Sequence, residues 1–458
     1  MAPVSTQPIE DKPVLVPHLK RVLNLRDLVI YGIVLIQPIA VVPLFGVAQQ
    51  LSLGHTVTTL LVSMVAIMLT AVSYGRMAAL YPAAGSAYTY VGRSMNPHLG
   101  FMAGWAMFLG YLMLPLINVI YVAVTVRREF PHIPYAVAAA GFAFLITSLN
   151  LLGIRWTARA NQLLLTSMCI VIGIFILLAL RYVVVHQGVA GLFTFKPFYN
   201  PKTFRLRTLA TATSFAALTY IGFDGVTTLA EDVENPRRNI LLALVLTVLF
   251  TGLFSGLLAY LAQLVWPDFR TFTSPETAFM DVCRRAGGIM LYHATWVMLI
   301  TAAFGSSFTG QVGAARILFG MGRDNVLPRR IFAYLDPRRN TPIFSIALVG
   351  ILAFAASFVL NFEHGSEILN SGALIAFMGV NAAVIWEFYV RGRNGRVKNA
   401  FQDLLAPLLG FASCLAIWLS LPRQALLSGG AWLIAGLAIA AYKTRGFTER
   451  PIMIDFSE

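Results

Sequence analysis

Charge is scarce in this sequence. Of its 458 residues only 12% are Asp, Glu, Lys or Arg, about half the share that a water-soluble chain of this size carries. So few polar groups cannot cover a soluble globule, and a mean hydropathy of +0.73 suits a surface turned towards lipid. Cysteine is nearly missing too. Cys169, Cys283 and Cys414 are the three present, two of them inside apolar runs, which argues against a disulfide framework. The seven histidines are scattered, and no His, Cys, Asp and Glu grouping has metal-ligand spacing. Neither a metal nor a cofactor is expected. The net charge of +14 is spread over short loops, with no long basic tract, so nucleic acid is excluded as a partner. A cleavable leader is not expected either: the first 26 residues are polar and proline-rich, and the apolar run that follows is too long for a signal peptide.

Apolar runs are what the sequence has in abundance. Those long enough to span a bilayer fall at 27–50, 56–80, 99–126, 134–152, 159–185, 207–230, 239–265, 289–320, 342–361, 367–390, 402–421 and 425–442, which predicts an all-α integral membrane protein of about twelve helices. Residues 82–98 are only moderately apolar and are expected to lie along the membrane interface. In the loop 266–288, Ser274, Pro275 and Glu276 read as a helix start. About two-thirds of the 34 Lys and Arg residues fall on the side of the N-terminus, which predicts that both termini are cytoplasmic. The dense basic loop from Arg391 to Lys398 belongs to that side and would also meet anionic lipid.

Two spans carry helix breakers near their middle. Breaks are tolerated in lipid only where the freed backbone lines protein or a water-filled cavity. Span 1 contains Gln37 and Pro38, then Pro43; each proline removes an amide donor and crowds the preceding turn. Span 6 contains Gly222, Phe223, Asp224 and Gly225. An acid at that depth is a functional candidate by default, because burying it is costly. A simple proline kink and a structural acid are the bland alternatives. The pairing is more informative than either break alone, since spans 1 and 6 are counterparts in an inverted five-plus-five repeat. In such repeats a small solute is held at the midplane between two unwound helices.

The residues that follow these breaks resemble a known family. Ser73, Tyr74, Pro82, Gly85, Ser86, Tyr88 and Tyr90 follow span 2; Gly222 to Gly225 lead into Glu231, Asp232, Glu234, Asn235, Pro236 and Arg237; and Gly322, Arg323, Asp324 and Pro328 close span 8. This pattern is similar to the amino acid–polyamine–organocation permeases over nearly the whole chain. The resemblance implies a LeuT-type fold, with repeats at 27–186 and 207–391, two further helices at 401–443, and cytoplasmic tails at 1–26 and 444–458. Two departures stand out. The small-residue bend of many members is here Ile36, Gln37, Pro38, Ile39 and Ala40, and the usual span 2 Glu is Arg76. Both features look more like the putrescine-importer branch.

By position, the resemblance implies a substrate site of Ile36, Gln37, Pro38, Ile39, Ala40, Tyr111, Tyr220, Ile221, Gly222, Phe223, Asp224 and Gly225. Phe223 is either a gate or packing. Coupling to Na+ would use Ser306 and Ser307 with Thr309 and span 1 carbonyls, coupling to H+ would use Asp224 or the Glu231 and Asp232 pair, or else exchange would run without an ion. Hydroxyls in membrane helices often bond the preceding turn instead. Glu231, Asp232 and Glu234 beside Arg237 and Arg238 suit a cytoplasmic ion-pair role. The expected activity is carriage of an amino acid or polyamine across the cell membrane. A sensor built on the same fold is the alternative. No paired catalytic constellation within the spans points to an enzyme.

Overall fold

The computed structural model describes residues 23–37, 39–81, 86–153, 158–323, 327–339, 341–392, 399–446 and 448. These residues are almost all helical. Among them, eight helices are long and apolar enough to cross a membrane, one bent pair passes the same test together, and two apolar helices are shorter. Exposed Phe144, Leu163, Leu177, Val185 and Ile434 turn apolar surface outwards. This is a multi-pass membrane protein. The sequence expectation of an all-helical membrane fold holds.

The first span is the bent pair, α1 (Leu25–Ile36) and α2 (Val41–Leu51), whose axes differ by 59°. Asn24 caps α1 reciprocally with Asp27, an Asn side chain taking the orphan amides of the first turn. Pro43 does not act as a second break. It is the third residue of α2, within the first turn, where no amide donor is required. The rupture is confined to residues 37–40, and of these Pro38 lies outside the described residues.

α3 (Thr56–Leu80) follows, then α4 (Ser86–Ser94) and α5 (Pro97–Glu129). Within the segment expected along the interface, α4 is largely covered by protein. Ser86, Ala87, Thr89, Tyr90, Val91, Gly92 and Ser94 are all buried. Glycine on both helices permits this: a Cβ on Gly100 would stand 2.5 Å from the Cα of Gly92.

α6 (Tyr135–Leu151) and α7 (Ala158–Gln187) precede the second interrupted span. There α8 (Leu206–Ala216) tightens into a 3-10 turn (Ala217–Tyr220), breaks at Ile221 and Gly222, and resumes as a 3-10 segment (Phe223–Asp232). The unwound stretch is longer than its two glycines suggest. α9 (Pro236–Val265) packs along α3, with small residues allowing the approach: Gly75 abuts Leu241 and Gly252 abuts Met64.

α10 (Ala278–Arg323) begins directly after the Pro275–Thr277 turn and bends at Gly288, whose φ is 71°. Part of the loop expected at 266–288 is thus helix. After the short α11 (Arg329–Phe332) come α12 (Ile343–Ala356), α13 (Phe362–Val384), α14 (Ala406–Leu419) and α15 (Arg423–Lys443). α13 packs on α5, α14 and α4. π-turns extend α13 through Val390 and open α14 at Phe401.

Candidate functional site

The two breaks meet. A Cβ added to Gly222 would lie 3.7 Å from the carbonyl oxygen of Leu35, and one on Gly225 would lie 2.6 Å from the Leu35 side chain. Each break has a residue in the left-handed region: Gln37 at φ 67° and Gly222 at φ 107°. Glycine adopts this conformation freely. Gln37 does so with its amide tied across the fold, Nε2 donating to the Ala302 carbonyl of α10 at 3.3 Å.

Asp224 sits just beyond Gly222 in the second break and is buried. Its Oδ2 accepts from Ser86 Oγ of α4 at 3.2 Å, and its carbonyl accepts from Thr227 Oγ1 at 2.6 Å. No Lys, Arg or His among the described residues forms an ion pair with it. Tyr74, Tyr90 and Tyr111 stand within electrostatic range of its carboxylate. A buried carboxylate with one hydroxyl donor and an aromatic surround has the chemistry to receive an ammonium group or a proton.

Of the residues named from sequence, Gly222 and Gly225 lie against Leu35, two residues before Gln37, and Asp224 stands between these glycines in the chain. Ile36 and Ile39 are buried at the first break, while Ala40 and Ile221 are half-buried. Tyr111 is half-buried, its ring against Gly313 of α10. Tyr220 points elsewhere: its hydroxyl donates to the Leu60 carbonyl of α3 at 2.7 Å. Phe223 is fully buried, 5.3 Å from the Tyr74 ring and 5.2 Å from that of Phe377. It is packed between α3 and α13 in this conformation. Glu231 and Asp232 close the 3-10 segment, but their side chains lie outside the described residues.

The α10 hydroxyls have separate settings. Ser306 Oγ accepts from Asn118 Nδ2 at 3.1 Å, Thr309 bonds the Gly305 carbonyl at 2.9 Å, and Ser307 Oγ is buried without a partner among the described residues.

Sequence reasoning passed over Ser86 as a site residue, although it lies in the quoted motif, and it also passed over Asn370. The amide of Asn370 on α13 donates to the carbonyls of Ser214 at 2.8 Å and Phe215 at 3.3 Å. These carbonyls stand at the C-terminal end of α8, where the helix tightens into the 3-10 turn, so Asn370 braces the approach to the break. Nothing local in the sequence marks it. The pairing arises only when α13 is laid against α8.

The chain matches the amino acid permease family model over residues 35–440. It is similar to the low-affinity putrescine importer PlaP of Escherichia coli (strain K12), with 31% identity over 433 residues, covering 94% of this chain and 95% of that protein. It is also similar to the vacuolar cationic amino acid transporter 4 of Arabidopsis thaliana, with 27% identity over 85% of this chain and 67% of that protein. The branched-chain amino acid permease BcaP of Bacillus subtilis (strain 168) is 26% identical over 92% of each chain.

Proposed function

The chain belongs to the amino acid permease family, and we propose that it is a secondary carrier of amino acids or polyamines across the cell membrane. Its family consists of membrane transporters, and the finer reading concerns substrate and mechanism. The observation that carries it is the meeting of the two breaks beside Asp224, a buried acid with no cationic partner among the described residues. In this reading a substrate ammonium binds at Asp224, between carbonyls freed by the breaks and the rings of Tyr74, Tyr90 and Tyr111. The C-terminal dipole end of α1 adds partial negative charge on the same side. A proton or sodium gradient, or exchange, drives the cycle.

In this reading the cycle is alternating access, and the packing supports it. α1, α3, α9 and the 3-10 segment hold one another, while α5, α7, α10 and α13 form a second group. Rocking the first group against the second would expose the junction to either side in turn. The inverted repeat at 27–186 and 207–391 makes α3 the counterpart of α9, and α5 that of α10; both pairs pack together. In this reading both termini are cytoplasmic; the Glu234 amide bonds the Leu23 carbonyl at 2.9 Å and ties the end of the second break to the entry of α1.

Two relatives point to amine solutes of different kinds. One is named a putrescine importer and another a branched-chain amino acid permease. Uptake of radiolabelled putrescine, lysine and leucine into proteoliposomes holding the full chain, with and without imposed gradients, tests the reading. Saturable uptake of at least one is expected. Failure of all three under every gradient would contradict it.

A further inference from the structure

A second buried acid lies apart from the junction. Glu367 on α13 is 1% exposed, and neither carboxylate oxygen has a hydrogen-bond partner among the described residues. One turn along the same face, Asn370 is fully buried; its amide nitrogen is committed to the Ser214 and Phe215 carbonyls, which leaves Oδ1 unpartnered. Residues three apart on a helix share a face, so three acceptor oxygens line one stripe of α13 with no donor supplied to them. The C-terminal end of α8 lies against that stripe, and a helix C-terminus carries partial negative charge.

Three acceptors beside a negative helix end call for a cation. A lone ionised carboxylate in this interior is expensive. A proton alone would not satisfy the group, because no acceptor of a described residue lies within bonding distance of either Glu367 oxygen. A cation that bridges Glu367 and Asn370 meets all three oxygens without requiring them to touch. Among the arginines on helices that pack against α13, Arg128 of α5 is engaged with Asp281 and Thr277, Arg76 of α3 with Asp403, and Arg423 is exposed at the start of α15.

Glu367 stands towards the start of α13, away from the contact of Phe377 with Phe223. Ten residues of α13 separate Phe377 from Glu367, about 15 Å at the α-helical rise. We propose that Glu367 and Asn370 form a second, outer cation subsite that takes a monovalent cation, either the ammonium of an arriving amine or an inorganic ion such as sodium. Its role as a station on the transport path rests on the carrier reading, but its existence does not.

Equilibrium binding to the purified full chain separates these cases, with radiolabelled sodium and radiolabelled putrescine as probes. Asp224→Asn is used as the background, so that binding at the junction is disabled. Saturable binding of one probe is expected to persist there and to weaken about tenfold or more when Glu367→Gln is added, as loss of one buried charged partner does. Glu367→Asp, which keeps the charge, is expected to fall between, and it serves alone if the Gln variant does not fold. Response to sodium identifies an inorganic ion; response to putrescine identifies the amine. If Glu367→Gln, eluting as a monodisperse protein, or Glu367→Asp in its place, leaves the binding of both probes unchanged, the subsite is overturned while the carrier reading stands. Binding that depends on Glu367, without uptake of any amine, would do the reverse.

Discussion

Ser86 Oγ donates to Asp224 Oδ2 at 3.2 Å, which joins the start of α4 to the second broken span. The two residues are 138 positions apart, and this bond is the side-chain donor that the structure gives the carboxylate. It orients Asp224 towards the junction. Ser86→Ala is expected to raise KM about tenfold with little change in maximal rate, the worth of one hydrogen bond to a charged group. Ser86→Thr keeps the hydroxyl but is strained at the φ of 46°, so it should recover the wild-type KM only in part. Initial-rate uptake in proteoliposomes measures both, and an unchanged KM in the Ala variant would remove Ser86 from the site.

Gly222 and Gly225 differ in why they are glycine. At Gly222 there is room for a methyl group, the nearest atom being 3.7 Å away, but φ is 107°. At Gly225 the backbone is unstrained, and an added Cβ meets only the Leu35 side-chain end at 2.6 Å. Gly222→Ala should therefore cost about 1–3 kcal/mol in backbone strain. Gly225→Ala should cost less, because Leu35 can change rotamer. Thermal unfolding of the two purified variants ranks them, and the opposite order would contradict this account of the break.

Gly46 on α2 is the tightest contact between the second half of span 1 and the loop before α10. A Cβ there would stand 2.1 Å from the Pro275 carbonyl oxygen, which is backbone and cannot turn aside. Gly46→Ala is expected to push the Pro275–Thr277 turn away from α2. Destabilisation of about 1–3 kcal/mol should follow, as for other overpacked sites. Proteolytic sensitivity within 266–277 should rise in parallel, and an unaltered cleavage rate would show that α2 moves instead.

Arg76, which stands where relatives in the resemblance have Glu, pairs with Asp403 before α14 and lies 4.5 Å over the Phe388 ring. Its side chain is one-quarter exposed, but Asp403 is buried, so removal of the guanidinium strands an acid. A double-mutant cycle of Arg76→Met and Asp403→Asn should give a coupling of about 1–2 kcal/mol, discounted for the exposure of Arg76. Arg76→Lys keeps the charge and loses the stacking and the fork, and its melting temperature should fall between wild type and Arg76→Met. Additive effects in the cycle would deny the pair a role.

The two breaks are legible in the sequence because proline and glycine act locally. Residue type and spacing alone mark Gln37–Pro38 and Gly222 as the points of rupture. Pro43 misleads for the same reason: its effect depends on position within a helix, and a proline in a first turn breaks nothing. The segment after α3 is ambiguous because a moderately polar helix suits both headgroups and a polar interior. The Gly92–Gly100 approach shows that α4 packs closely on α5, which the sequence pattern does not show. Asn370 and Glu367 carry no local signal, since their meaning comes from α13 lying against α8 and not from their neighbours in sequence.

The central claim is that Asp224 receives the substrate's ammonium at the meeting of the two breaks. Proteoliposome uptake of radiolabelled putrescine by wild type and Asp224→Asn tests it most directly, with the inward and outward orientations of the reconstituted protein matched between samples. The account predicts saturable uptake by wild type and loss of about a hundredfold or more in Vmax/KM for the variant, the cost of removing a buried charged partner. Equal uptake by both proteins would contradict it.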